Sequence, residues 1–169
     1  MISYMKTILI KLRTNLCLII IQIIKYFPFT STMILRNYCY SHIMRRIGSC
    51  NISDGVTILH PKIMEIGERV SIHPHTYIVG EVVIGNNVGI AAKCSIIAQT
   101  HNYSDTSIPF KLQGTVEQPI SIGNDVWIGT NSVILGNTVI GDGVVIGAGS
   151  VVSGEISSNS VMMGNPARV

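Results

Sequence analysis

An aliphatic residue returns at every sixth position along much of this chain. The spacing holds from Ile66 to Ile96, breaks after His101, and resumes from Ile122 to Val152. Twelve positions share the register: Ile66, Ile72, Ile78, Ile84, Ile90, Ile96, Ile122, Ile128, Ile134, Ile140, Ile146 and Val152. A period of six fits neither an α-helix nor a long alternating strand. It predicts very short strands separated by turns.

The residues between the aliphatic positions agree with stacked turns. A small or β-branched residue lies four positions after each repeat, as in Val70, Thr76 and Ser132, and glycine often follows the repeat directly, as in Gly67 and Gly129. Glycine and asparagine suit turns that require a positive φ. The 29 Ile and 16 Val against 8 Leu also favour β-structure over a helical bundle. We therefore expect a parallel β-helix in which the Ile positions point inward as ladders.

The composition places the whole chain among folded proteins. It is 47% apolar and 12% charged, whereas disordered chains are poor in apolar residues. The four cysteines form no CxxC pair, so we expect reduced thiols in a cytoplasmic protein. We divide the chain of 169 residues into a helical segment at 1–50 and a β-helix domain at 51–169, with an excursion loop at 102–119.

The N-terminal segment is apolar and basic. Residues 1–53 carry no acid and seven cations: Lys6, Lys11, Arg13, Lys25, Arg36, Arg45 and Arg46. The apolar run at 16–24 lies between Arg13 and Lys25, which leaves fewer residues than the roughly 20 of a membrane-spanning helix. It also leads into Lys25 and Pro28 without the small residues of a signal-peptide cleavage site. Two alternatives remain: a helix that caps the β-helix, or one that lies on the cytoplasmic face of a membrane.

The interruption at 102–119 is the first candidate for function. Long excursions from a regular solenoid are costly to order and are usually functional. His101 lies at the base of this loop, at the last position of a hexad, where it is expected to face outward.

The C-terminal half resembles a known family. The resemblance runs from Thr100-His101 through ISIGNDVWIGTNSVILGNTVIGDGVVIGAGSVVSG to GNPARV. This segment is similar to the galactoside, maltose and polysaccharide O-acetyltransferases of the hexapeptide-repeat acyltransferase family. The resemblance implies an all-β fold, a left-handed parallel β-helix of about five coils. It also implies a homotrimer that transfers acetyl from acetyl-CoA to a sugar hydroxyl of a saccharide acceptor, with no metal and no nucleic acid involved.

The resemblance assigns roles to five positions. His101 matches the general base, Trp127 a residue that lines the acyl pocket, and Thr130 a residue at the reacting end of coenzyme A. Ala148 matches a position whose backbone meets the pantetheine arm, and Arg168 a cation that meets the cofactor phosphates. A base is needed because a sugar hydroxyl is a poor nucleophile at neutral pH, and a neutral imidazole suits the task.

Other positions are less specific. A carboxylate is expected to orient His101, and Asp105 and Glu117 are the loop candidates. Asp105, with His73 and His75, is also a candidate acceptor contact, although the two histidines could be plain turn residues around Pro74.

This chain departs from the family pattern at its C-terminal end. Ser153-Gly154 stands where relatives carry Thr-Lys, and Val169 ends the sequence where a further cation is expected. Both departures bear on phosphate binding by the cofactor.

Two other classes of function remain as alternatives. A β-helix of this kind could be a non-catalytic subunit that only binds partners. It could also be a zinc enzyme like the γ-class carbonic anhydrases, which needs three converging histidines, but His42 and His60 lie outside the regular coils.

Overall fold

Two helices precede the β-structure. The computed structural model describes residues 2–169, and its first elements are α1 (Ile2–Ile24) and α2 (Thr30–Ser41). Helix α1 is longer than the apolar run suggested, because its periodic hydrophobic pattern extends back beyond Arg13. By length and composition only, Tyr4–Ile24 could cross a membrane. The expectation that this segment is too short to span is therefore not supported by the helix length.

Nineteen short strands follow the helices. In chain order they are β1 (Arg46–Ile47), β2 (Cys50–Ile52), β3 (Thr57–Leu59), β4 (Glu65–Ile66), β5 (Val70–Ile72), β6 (Tyr77–Gly80), β7 (Val82–Ile84), β8 (Gly89–Ile90), β9 (Ser95–His101), β10 (Thr115–Glu117), β11 (Ile120–Ile122), β12 (Trp127–Ile128), β13 (Val133–Ile134), β14 (Val139–Ile140), β15 (Val145–Ile146), β16 (Val151–Val152), β17 (Glu155–Ile156), β18 (Val161–Gly164) and β19 (Ala167–Arg168). Short 3₁₀ turns lie at Pro61–Ile63 and Phe110–Leu112.

The strands form the three sheets of a parallel β-helix. Sheet A has the order β1-β4-β7-β11-β14-β17, sheet B has β2-β5-β8-β12-β15-β18-β19, and sheet C has β3-β6-β9-β13-β16. Strand β10 pairs only with β9, and β19 pairs antiparallel with β18. The chain visits the sheets in the repeating order A, B, C, so each coil adds one strand to each sheet.

The hexad positions form the core that the sequence predicted. All twelve are at most 2% exposed. In sheet B, for example, Ile72 pairs in register with Ile90, Ile90 with Ile128, and Ile128 with Ile146. The small residues of the corners are buried as well, among them Thr76, Ser132 and Ser150. The predicted β-helix with inward ladders is confirmed.

The solenoid has about six coils instead of about five. The first coil begins at Ile47, which pairs with Ile66, and the 3₁₀ turn at Pro61–Ile63 adds residues that hide its register. The last coil is shortened by a turn at Gly154, whose φ is +83°. As a result Ile156, only four positions after Val152, pairs with Ile140 in the inward ladder.

The two helices cover the first coil. Cys17 and Ile21 of α1 and Cys39 and Tyr40 of α2 belong to the same buried apolar cluster as Ile52 of β2. All four cysteines are free, and burial beside Cys17 raises the pKa of the Cys39 thiol to about 11. The C-terminal half of α1 and the inner face of α2 thus close the open end of the solenoid.

Arg36 joins three segments of this cap. It is one of the seven cations of residues 1–53, but its side chain is buried and only 3% exposed. Its Nε donates to the Ile52 carbonyl at 3.1 Å, and its Nη1 donates to the carbonyls of Ile24 at 3.0 Å and Phe27 at 3.1 Å. Desolvation lowers the pKa of Arg36, and the nearby charge of Asp54 opposes this effect. The guanidinium therefore links the end of α1, helix α2 and strand β2.

Candidate active site

His101 ends the strand that leaves the solenoid. The first residues of β9 pair with β6 and β13 inside sheet C, but its end pairs antiparallel with β10. His101 lies opposite Thr115 in this pairing, and Asn102 N–H donates to the Gly114 carbonyl at 3.1 Å. The excursion is therefore a two-stranded arm, residues 99–117, that projects beyond the coils.

The arm carries His101 on an exposed, partly apolar surface. The imidazole meets the Phe110 ring edge-on, with ring centroids 5.4 Å apart and planes at 82°. Thr100, Tyr103, Val116 and other arm residues line a shallow depression of about 250 Å³ beside it. Several large apolar side chains of the arm are exposed: Tyr103, Ile108, Phe110, Leu112 and Val116. The sequence did not indicate Phe110, because contacts inside a loop leave no periodic signal.

Neither loop carboxylate orients His101 within one chain. Asp105 accepts hydrogen bonds from the Ser107 N–H at 2.8 Å and hydroxyl at 2.6 Å, which lower the pKa of Asp105. Glu117 accepts from Gln99 Nε2 at 2.5 Å. Within residues 2–169 the imidazole has no hydrogen-bond partner.

The residues that the resemblance matched to cofactor contacts do not lie on the arm. They lie along one edge of the three-sided β-helix. We define the BC corner as the stack of turns that join sheet B to sheet C: residues 53–56, 73–76, 91–94, 129–132 and 147–150. The turns hydrogen-bond to one another: Gly149 N–H donates to the Thr130 carbonyl at 2.8 Å, and Asn131 N–H to the Ala92 carbonyl at 3.1 Å. Thr130 and Ala148 are exposed neighbours in this stack, and the Thr130 hydroxyl donates to the Ala92 carbonyl at 2.6 Å.

Trp127 and Arg168 border the same corner. Trp127 begins β12, the strand that leads into the turn with Thr130, and is 61% exposed, as its outward hexad position predicted. A carbon added at Gly89 would lie 3.7 Å from the indole, so the ring rests over the neighbouring coil. Arg168 lies in β19, which pairs with β18 at the C-terminal end of sheet B. Gly164 of that hairpin donates to Ser150 in the BC corner at 3.1 Å.

His73 and His75 lie two coils from Thr130 in the BC corner. His75 has a φ of +61° and contacts Gly55 in the preceding turn, which fits the interpretation as a turn residue. Both side chains are exposed. Among residues 2–169, no group of three or more histidine, cysteine, aspartate or glutamate side chains could hold a metal ion.

A single chain keeps His101 apart from the BC corner. Sheet C separates them, and at about 3.3 Å per residue the strand from Ser95 to His101 measures about 20 Å. A base must lie within hydrogen-bond reach of the proton that it removes. The parts that the resemblance assigns to one site therefore lie on different edges of one chain.

Comparison with known proteins agrees with this architecture. Residues 119–154 match the family model of the bacterial transferase hexapeptide (six repeats). A Mycobacterium tuberculosis protein, whose name describes an acetyltransferase, is 36% identical over 70% of this chain, but the match spans only 41% of its own length. WbbJ of Escherichia coli, named as a lipopolysaccharide biosynthesis O-acetyl transferase, is 30% identical over 83% of this chain and 79% of its own.

The solved structures share the same solenoid. The maltose O-acetyltransferase from Clostridium difficile 630 superposes with a TM-score of 0.78 at 25% identity, covering 95% of this chain and 86% of the other. The fold and its corner stack define a hexapeptide-repeat protein, with the left-handed β-helix of that class. The chain belongs to the hexapeptide-repeat acetyltransferase family.

Proposed function

We propose that this protein transfers the acetyl group of acetyl-CoA to a hydroxyl of a saccharide acceptor, in the biosynthesis of a surface polysaccharide. Membership of the acetyltransferase family carries the reaction class. The names of two similar proteins, one assigned to lipopolysaccharide biosynthesis and one to maltose, favour oxygen as the acceptor atom and a sugar as its source. The exposed His101 is the observation that carries the mechanism, since its imidazole is open to an acceptor.

In the proposed reaction His101 removes the proton of the sugar hydroxyl as its oxygen attacks the thioester carbonyl carbon. The tetrahedral intermediate then collapses, the carbon–sulfur bond breaks, and the coenzyme A thiolate takes the proton from the imidazolium. The products are an acetyl ester and free coenzyme A, and the imidazole returns to its starting state. The Phe110 ring beside His101 restricts the orientation of the base.

The BC corner is the proposed cofactor site. Its turns are built from small residues near Thr130 and Ala148, and a carbon added at Gly149 would meet no atom of the described chain within 4 Å. This open strip suits a slender pantetheine arm that runs along the solenoid. Arg168 lies at the C-terminal end of the same strip, where a guanidinium could pair with phosphate. Trp127 would border the acetyl group.

A homotrimer would complete the site. The arm of one copy would bring its His101 to the BC corner of the next, which supplies the proximity that one chain lacks. The exposed apolar residues of the arm support such a contact, because monomeric proteins seldom leave large apolar groups clustered in water.

An acceptor screen with acetyl-CoA tests the proposal through the release of free thiol. The wild-type protein is expected to release thiol only with its acceptor, and His101→Ala is expected to be slower by about 10²–10⁴-fold. His60→Asn is the matched control, since His60 is exposed, has a φ of +61° and lies outside the proposed site. Equal turnover by His101→Ala would contradict the mechanism.

The two alternatives give different results in the same experiments. A non-catalytic binding subunit would release no thiol with any hydroxylated acceptor. A zinc enzyme would contain metal in stoichiometric amount after purification.

A further inference from the structure

The first half of α1 is exposed to solvent. Among residues 4–24 of this helix only Thr14, Cys17 and Ile21 are buried, and all three lie in its second half. Every residue from 4 to 13 is exposed. Since helical stability in proteins comes mainly from packing of one face, a free apolar helix requires something to cover it.

One exposed face of α1 is continuously apolar. The face is formed by seven residues with spacings of three and four, and we call it the α1 stripe: Met5, Ile8, Leu9, Leu12, Leu16, Ile19 and Ile23. At about 100° per residue these positions lie opposite the buried face with Cys17. Each is between 40% and 66% exposed. At about 1.5 Å per residue the stripe is about 27 Å long. It is a contiguous apolar patch, unlike the single exposed apolar residues that are normal on protein surfaces.

Cations lie on both sides of the α1 stripe. On the helical wheel Lys11 lies on one side, and Lys6 and Arg13 lie towards the other. No acid occurs in residues 1–53. The arrangement is typical of a helix that lies in the interface of an anionic bilayer, with its apolar face down and its cations at the level of the phosphates.

The connection between α1 and α2 carries aromatic side chains. Tyr26, Phe27 and Phe29 are 67%, 49% and 61% exposed, next to Lys25. Tyrosine is enriched at membrane interfaces, and phenylalanine is common on the apolar face of helices that lie in them. We propose that the α1 stripe and these aromatic residues bind the surface of an anionic phospholipid bilayer, with α1 parallel to it. This proposal does not depend on acetyl transfer.

The helix lies on the membrane and does not cross it. Lys11 and Arg13 are near the middle of α1, and crossing would carry both into the hydrocarbon core, where charged side chains are rare because they are costly. Crossing would also remove Cys17 and Ile21 from the buried cluster that they share with α2 and the first coil.

Flotation of the full-length protein with vesicles tests the proposal. The wild type is expected to float with vesicles of phosphatidylcholine and phosphatidylglycerol, to bind less at high salt, and to bind weakly to phosphatidylcholine alone. The paired change Leu12→Ser and Leu16→Ser, both in the stripe, is expected to reduce binding by about tenfold or more. Ile10→Ser with Leu18→Ser is the matched control, because both are exposed apolar residues of α1 outside the stripe.

Three results would overturn the proposal. Equal binding by the stripe pair and the control pair would show that the stripe is not the contact. Wild-type protein that stays unbound at both salt concentrations would show that the stripe does not bind this lipid surface. If the mass in solution also falls in the stripe pair, another copy of the chain covers the stripe. Bound protein that resists both high salt and alkaline carbonate, and requires detergent, would show that α1 crosses the bilayer.

Discussion

The ring of Phe110 meets the imidazole of His101 edge-on, at 5.4 Å between centroids, inside an arm that otherwise projects into solvent. This contact fixes one side of an imidazole that has no hydrogen-bond partner within residues 2–169. A base that must be aligned with a hydroxyl depends on such support, since small displacements of reacting groups cost large factors in rate.

Phe110 is therefore expected to act as a positioning residue. Phe110→Ala should lower kcat by about tenfold with little change in KM, because the base loses its orientation and the cofactor corner is untouched. Phe110→Tyr should restore most of the rate. Leu112→Ala is the control, as an exposed apolar residue of the same arm. A loss of equal size in the Leu112 variant would assign the effect to the arm as a whole.

Active sites shared between copies should be visible in mixed oligomers. Protein with His101→Ala and protein with Ala148→Trp, which obstructs the BC corner, should each be inactive alone. When the two chains are expressed together in equal amounts, about one quarter of the wild-type activity should return, since one quarter of the sites combine an intact arm with an intact corner.

The oligomer itself is the control for that experiment. Light scattering at micromolar concentration should give three times the chain mass of 18.4 kDa. A strictly monomeric protein, or a mixture as inactive as its components, would contradict a shared site.

Removal of the Arg36 guanidinium should destabilise the cap. Arg36→Met leaves the carbonyls of Ile24, Phe27 and Ile52 without this donor, and the free energy of unfolding should fall by about 3 kcal/mol. Urea denaturation measures the change. Arg46→Met, at an exposed position of the first coil, should change the stability by less than about 0.5 kcal/mol. If the two variants lose equal stability, Arg36 does not hold the cap.

Glu68 is expected to account for part of the loss of folding stability at acidic pH. Its carboxylate accepts hydrogen bonds from the hydroxyl of Ser49 at 2.6 Å and from its N–H at 2.8 Å, and these lower the pKa of Glu68. A depressed pKa in the folded state stabilises the protein above the unfolded pKa, and the gain is lost as the pH falls through the folded value.

Wild-type protein should consequently lose more stability on acidification than Glu68→Gln, which cannot titrate at this position. Thermal unfolding measured from neutral pH downward tests the difference. Parallel pH curves for the two proteins would show that the Ser49 hydrogen bonds contribute nothing.

The β-helix and its core could be predicted from the amino-acid sequence alone. Ile72, Ile90 and Ile128 are ladder partners because each short strand repeats the same local pattern, so a period in the sequence becomes a stack in space. The same local repeat also predicts that Thr76 and Ser132 lie in buried corners and that Trp127 faces outward. The six-residue period does not predict the strand positions of the first and last coils, because the turns at Pro61–Ile63 and Gly154 change the spacing there.

The arrangement of the candidate site residues, in contrast, could not be predicted before the folded chain was known. The family pattern assigned His101 and Thr130 to one site, yet β9 carries His101 about 20 Å along sheet C from the BC corner. The sequence also gave no reason to separate Arg36 from the surface cations, or to see that Cys17 faces the cap while Leu16 faces outward. The burial of a side chain depends on which distant segments of the chain pack against it. A local sequence pattern does not specify those segments, so these outcomes could not be predicted from it.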